Sequence, residues 1–215
     1  MAATRGRARW AVGALFATIG LRLCELLAGT FPALSHETRA TVATLGQIVE
    51  VSLLLLTAVL FLTWLSRVVA LTRSISTVPL SWTPSQAVWG FFIPLLSMYR
   101  PYQVVRDVHD RLDPDGVPEP APRPRLDGSG GYRSVAMDQA PPPRTLPHAS
   151  IGAWWGLFLA ERLLNQFGVF SQVLAIGAGL LAVLVVRAVE GRLEERYRRV
   201  SHATDEELDE WGLQA

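Results

Sequence analysis

Lysine is missing from this chain altogether: all 20 basic residues among its 215 are arginine. The bias fits a GC-rich genome better than any function, and we read no chemistry into it. Cysteine is nearly missing too. The one copy, Cys24, lies inside an apolar run, which excludes a disulfide framework within the chain and leaves a small apolar side chain as its plain reading. Metal-ligand spacing is absent, because His36, His109, His148 and His202 stand far apart. No nucleophile is paired with a base and no glycine-rich phosphate loop appears. We therefore expect a protein that is not an enzyme, with no metal and no cofactor. Charge is scarce as well, at 18% of residues, while half of the chain is apolar and the mean hydropathy is +0.26. For a chain of this length those values describe a membrane protein.

What the sequence has in abundance is long apolar runs. Trp10 to Leu27, extending towards Leu34, Ala40 to Leu65, and Val169 to Val189 are each long enough to span a bilayer. Ile151 to Phe167 is shorter and carries Glu161 and Arg162, but its Trp154 and Trp155 pair has the look of an interfacial anchor, so four spans are expected. Arg5, Arg7 and Arg9 ahead of the first run resemble a signal peptide. The run continues past a normal signal core, and Arg22 and Leu23 precede Cys24 where a lipoprotein site needs small residues. An uncleaved first helix is the expectation.

The segment Trp82 to Val108 organises the rest. Trp82 to Tyr99 is apolar, but as a helix it would reach only about 25 Å, short of the ~30 Å hydrocarbon core, with Pro94 removing a hydrogen bond midway. As a fifth span it would also put Arg192, Arg196, Arg198 and Arg199 outside, against the excess of basic residues in cytoplasmic loops. If it dips in and returns, or lies in the interface, Arg67, Arg73, Arg100, Arg106 and Arg111 join the terminal arginines inside, and both termini are cytoplasmic. Locally, Thr83 with Gln86 spells a capping box and Pro84 suits the first helical position. Pro94 then kinks or ends that helix. Pro101 can open a second helix, whose Pro101, Val104, Val105, Val108 and Leu112 share one face opposite Arg100, Gln103, Arg106, Asp107 and Arg111. That apolar face suits either the inner membrane surface, with arginines at anionic headgroups, or the protein's own bundle. Arginines interleaved with Tyr99 and Tyr102 also suggest nucleic acid, but the adjacent spans favour lipid headgroups.

Charges at membrane depth are the other candidates. Arg22, Glu25, Glu50, Glu161 and Arg162 fall within expected spans, where each charge must face the bundle and pair. Arg22 and Glu25 can pair at i, i+3, and Glu50 with Arg162 across helices. Interhelical glue is one role for such a set, and a proton or ion relay another. Gly152 with Gly156, a GxxxG pair, and Gly177 with Gly179 would let backbones approach closely, within one chain or between two.

Residues 113–150 turn rich in proline, glycine, arginine and aspartate (PEPAPRPR, DGSGG, PPPR) and read as a disordered or partly polyproline II cytoplasmic linker. It is either a tolerated insertion or a docking site for a regulatory partner, with Ser134 and Thr145 as phosphorylation candidates. The last span should continue as a cytoplasmic helix through the i, i+4 pairs Glu194 with Arg198 and Glu195 with Arg199. Thr204 and Glu207 then spell a capping box before a short acidic tail containing Trp211.

FLTWLSRVV near the end of the second run, then Trp82, Pro84, GFFIPLL, RPYQVVRDV and the later Trp154 and Trp155 together resemble a bacterial membrane family catalogued as domain of unknown function 4328. The resemblance covers roughly 61–110 and 151–189. Ser97 stands where that family suggests asparagine, and AERLLNQ is more charged than expected. The resemblance implies a membrane location and an architecture, but no activity; the location expected for the chain is the bacterial inner membrane.

The fold expected is an all-α integral membrane protein. It is a four-span bundle with a proline-kinked re-entrant or interfacial helical hairpin (Trp82, Pro84, Pro94, Arg100, Pro101, Tyr102, Arg106) between spans two and three. Residues 1–112 form its first unit, 113–150 the linker, 151–200 the last two spans and 201–215 the tail. The functional expectation is an adaptor or regulatory subunit binding a protein partner or lipid on its cytoplasmic face. The alternative is a small transporter or channel component working through the buried arginine and glutamate pairs.

Overall fold

The computed structural model describes residues 2–28, 36–76, 80–93, 95–113, 124–126, 132–134, 148–164, 166 and 168–202. Among the described residues six α-helices carry the fold: α1 (Ala2–Ala28), α2 (His36–Ile75), α3 (Pro84–Trp89), α4 (Arg100–Arg111), α5 (His148–Leu163) and α6 (Val169–His202), with a 3₁₀ turn at Leu96–Met98. The described part of the linker holds a short antiparallel ladder, β1 (Pro124–Leu126) against β2 (Tyr132–Ser134), with Arg125 opposite Arg133. The expectation of disorder there gives way at these six residues to paired strands. Pro94, Thr145, Thr204, Glu207 and Trp211 lie outside the described residues.

Among the described residues three helices are long and apolar enough to cross a membrane: Thr4–Leu27, Thr44–Ile75 and Val169–Ser201. The expected fourth, α5, has 16 residues, and at 1.5 Å per residue its ~24 Å falls short of the hydrocarbon core. Conversely, α2 runs ten residues beyond the expected end at Leu65, because Val68, Val69, Thr72 and Ile75 find a buried environment there.

α1 lies antiparallel to both α2 and α6. Thr18 meets Thr57 through their hydroxyls at 3.1 Å and Arg22 reaches Glu50, while Arg5 bonds Glu194 at the opposite end. Gly179 admits Ile19 of α1, since a Cβ there would lie 2.8 Å from the isoleucine Cγ1, and Gly177 admits Leu157 of α5 in the same way at 3.3 Å. The GxxxG pair behaves differently: a Cβ at Gly156 would meet nothing within 4 Å, and one at Gly152 only the Tyr102 ring edge at 3.8 Å. Close packing therefore uses the α6 glycines. The turn from α5 into α6 rests on Gly168, the one described residue with positive φ (53°), a conformation only glycine adopts readily.

The core is concentrated at one end of the bundle. Trp64, Leu65, Val68 and Val69 of α2, Val104, Val105 and Val108 of α4, Ile151 of α5, and Val185, Val186, Val189 and Leu193 of α6 are all 0–1% exposed. We call this end the head. At the far end, Leu45, Ile48, Val49, Leu55 and Leu56 of α2 and Val169, Phe170 and Val173 of α6 are each more than half exposed. Apolar side chains turned outwards around a bundle are what a lipid environment requires.

Candidate functional site

Two groups of polar side chains stand out, one in the head and one towards the far end. In the head, α6 sends two buried arginines sideways into the ends of neighbouring helices. Arg192 donates from Nη1 to the His109 carbonyl at 2.7 Å and to the His109 ring Nδ1 at 3.2 Å. Arg196 donates from Nε to the Ile75 carbonyl at 3.1 Å and from Nη1 to the Asp113 carbonyl at 3.0 Å. The last carbonyls of a helix have no partner along its own ladder and carry the negative end of its dipole, so guanidinium groups satisfy both at once. Arg196 thereby ties the end of α2 to the end of α4. In sequence both arginines read only as cytoplasmic loop charge, but their position four residues apart on the inward side of α6 buries them.

The amphipathic helix settles against the protein itself. Pro101, Val104, Val105 and Val108 of α4 are buried against α2, α5 and α6, as is Leu112 just beyond it, so its apolar face is occupied by the bundle and not by lipid. Its outer face carries Arg106, which lies over the Tyr102 ring at 5.5 Å. A hydrogen bond to the Tyr102 hydroxyl raises the pKa of that guanidinium still further. Asp107 pairs with Arg111 at 3.3 Å.

Beside α4 lies an aromatic cluster. Phe61 touches Trp64, Phe91 and Trp154 at centroid distances of 5.4, 6.0 and 5.9 Å, and Trp155 stacks on Phe158 at 4.9 Å. Trp64 donates from Nε1 to Glu190 at 2.7 Å, and Trp155 from Nε1 to the Met98 carbonyl at 2.7 Å. Trp154 and Trp155 are only 5% and 6% exposed, so the expected interfacial anchor is a core contact instead. Their rings meet α2 and the α3 to α4 connection, which a reading of α5 alone could not supply.

That connection is a closed hairpin. Thr83 caps α3 with the full reciprocal box, accepting from the Gln86 amide while the Gln86 side chain accepts from the Thr83 amide, and Pro84 opens the helix as expected. Gly90 and Arg100 meet at its base, where a Cβ on the glycine would lie 3.2 Å from that of Arg100. Arg100 also covers the Trp82 ring at 5.1 Å.

Towards the far end, Arg22 sits between two carboxylates, 3.5 Å from Glu25 on its own helix and 2.5 Å from Glu50 on α2. The i, i+3 pair is thus as expected, but Glu50 takes Arg22 and not Arg162, because α1 and not α5 runs beside that part of α2. Arg162 lies 3.6 Å from its neighbour Glu161 and covers the Phe158 ring at 5.4 Å. Among the described residues no ion pair joins the two groups. Near the end of α6, Glu195 bonds both Arg198 (2.8 Å) and Arg199 (3.0 Å). Glu194 goes to Arg5 rather than Arg198, a long-range partner invisible to helical spacing. Among the described residues no cluster of three metal-ligating side chains exists, and Cys24 is a free thiol on the α1 surface.

The fold and its polar groups define a class: a helical protein with helices long and apolar enough to cross a membrane, a densely packed head held by buried arginines, and a bundle whose outer surface is apolar. A family model described as domain of unknown function (DUF4328) matches residues 32–169, more than half of the chain, and the chain belongs to that family. The match takes in α2, the hairpin, α4, the linker and α5; the resemblance read over 170–189 lies beyond it. No curated protein and no solved structure matches the chain.

Proposed function

We propose that this protein is a non-enzymatic membrane adaptor, embedded in a bacterial inner membrane with both termini and the head on the cytoplasmic side. In this reading α1, α2, α5 and α6 make four crossings, α5 crossing as the short partner of α6 with the local bilayer thinned to fit. The Trp82 to Tyr99 hairpin enters from the inside and does not cross. The arginine count of the loops supports that orientation.

The observation that carries the adaptor reading is how the linker is held. It leaves the head at Asp113, whose carbonyl Arg196 grips, and returns through α5, whose Ile151 is fully buried. A long proline-rich segment fixed at both feet on a rigid base is a display arrangement, suited to a partner that recognises an extended or polyproline II stretch. The test is crosslinked capture from native membranes, comparing the intact protein with a form lacking residues 114–147. A partner recovered only with the linker supports the reading; recovery that ignores the linker overturns it.

A second reading, a small transporter, draws on the far-end group, where two carboxylates face one guanidinium. Ion flux through liposomes that disappears in Glu50→Gln would favour it.

A further inference from the structure

We propose that the hairpin between α3 and α4 is a lipid anchor, its tip buried among the acyl chains of one leaflet and its base held at the phosphate level of anionic lipids. The inference rests on the membrane placement proposed above and adds the partner of one element.

Three independent features point to it. The tip is apolar and bare: Phe92, Leu95 and Met98 are 61%, 78% and 51% exposed, with Trp89 and Ile93 beside them, and no charged residue occurs from Trp82 to Tyr99. An exposed patch of that kind in water would be an aggregation site. The backbone of the same stretch is nevertheless bonded internally. The amides of Phe91, Phe92, Ser97 and Tyr99 donate to the carbonyls of Val88, Trp89, Ile93 and Leu96, and Trp155 fills the Met98 carbonyl. Hydrocarbon demands such internal satisfaction of an irregular segment, whereas water would supply the partners itself. Finally, the base carries two cations that lie against aromatic faces. Arg100 covers Trp82 and Arg106 covers Tyr102, and among the described residues neither makes an ion pair. Aromatic rings with adjacent arginines suit the headgroup layer, where a phosphodiester can supply the counter-charge.

The test uses the full-length protein, with Cys24→Ala and a spin label at Leu95→Cys, reconstituted in phosphatidylcholine vesicles with and without phosphatidylglycerol. Met98→Cys serves as a second tip position in case the first disturbs folding, and Ser201→Cys as the exposed reference. The label at 95 or 98 is expected to relax with oxygen and to be shielded from a water-soluble nickel chelate, the reverse of position 201. Tip labels as open to the chelate as position 201 overturn the proposal. So does spin coupling between two tip labels, which would make a second copy the occupant. For the base, the lipid shell is expected to favour spin-labelled phosphatidylglycerol over phosphatidylcholine, and to lose that preference in Arg100→Gln/Arg106→Gln; an unchanged preference removes the headgroup half. Label depth is independent of which leaflet is entered, so a wrong orientation of the whole protein would leave this result intact and be detected separately.

Discussion

The two ends of the bundle are built on opposite principles. In the head, α2, α4, α5 and α6 bury side chains against one another until Trp64, Val68, Val69 and Leu112 have no exposed surface. Its two buried arginines are aimed at backbone: Arg192 and Arg196 donate to the carbonyls of His109, Ile75 and Asp113 at or just beyond helix ends. At the far end the helices present leucine, isoleucine and valine outwards, and the polar groups pair with each other, Thr18 with Thr57 and Arg22 with Glu25 and Glu50. Under the proposed placement the difference follows from the surroundings: helices within a bilayer gain little from apolar burial against one another and associate through close contacts at small residues and a few polar bonds, whereas apolar burial can drive assembly of a part that meets water.

That contrast can be broken by substitution, with the largest effect in the head. Trp64→Ala removes a fully buried indole together with its bond to Glu190, and should cost about 3–5 kcal/mol, read as a collapse of thermal stability in detergent. A loss under 1 kcal/mol would mean that the head is not the stability centre. Arg196→Met keeps the side-chain bulk but removes the bonds to the Ile75 and Asp113 carbonyls, for an expected loss of about 1–3 kcal/mol. Amide exchange should quicken at the ends of α2 and α4 together, since one guanidinium holds both. Glu50→Gln weakens one intramembrane pair, worth roughly 0.6 kcal/mol and at most about 1.7, and on the adaptor reading leaves liposome ion flux unchanged. Smallest is Arg5→Ala: its bond to Glu194 lies between exposed side chains, so less than ~1 kcal/mol is expected, fading as salt rises.

Much of the local structure was legible in the sequence. The capping box at Thr83 and Gln86, the helix opened by Pro101 and the apolar stripe of α4 all depend on neighbours within one or two turns, and each stands as expected. The Arg22 and Glu25 pair is legible for the same reason. What spacing could not supply is everything set by long-range neighbours. It offered no sign that Trp154 and Trp155 would turn inward onto Phe61 and Phe91, or that Glu50 would meet α1 rather than α5. The latch was equally hidden, because Arg192 and Arg196 look in sequence like any cytoplasmic basic run. A signal did exist: their i, i+4 spacing continues the inward stripe of Val185 and Val189, and extending the stripe one turn further would have marked them as buried. The short length of α5 shows the same limit, since the apolar run to Phe167 did not reveal where the helix would stop.

The proposed display platform requires the head to face the cytoplasm, because on the other side it would meet neither the partner nor the leaflet assigned to it. The most direct measurement is labelling of Ser74→Cys, an exposed position in the last turn of α2, in a Cys24→Ala background with a membrane-impermeant thiol reagent. With the head inside, no labelling is expected in intact cells and full labelling once the membranes are opened. Labelling of intact cells would put the head outside and contradict it.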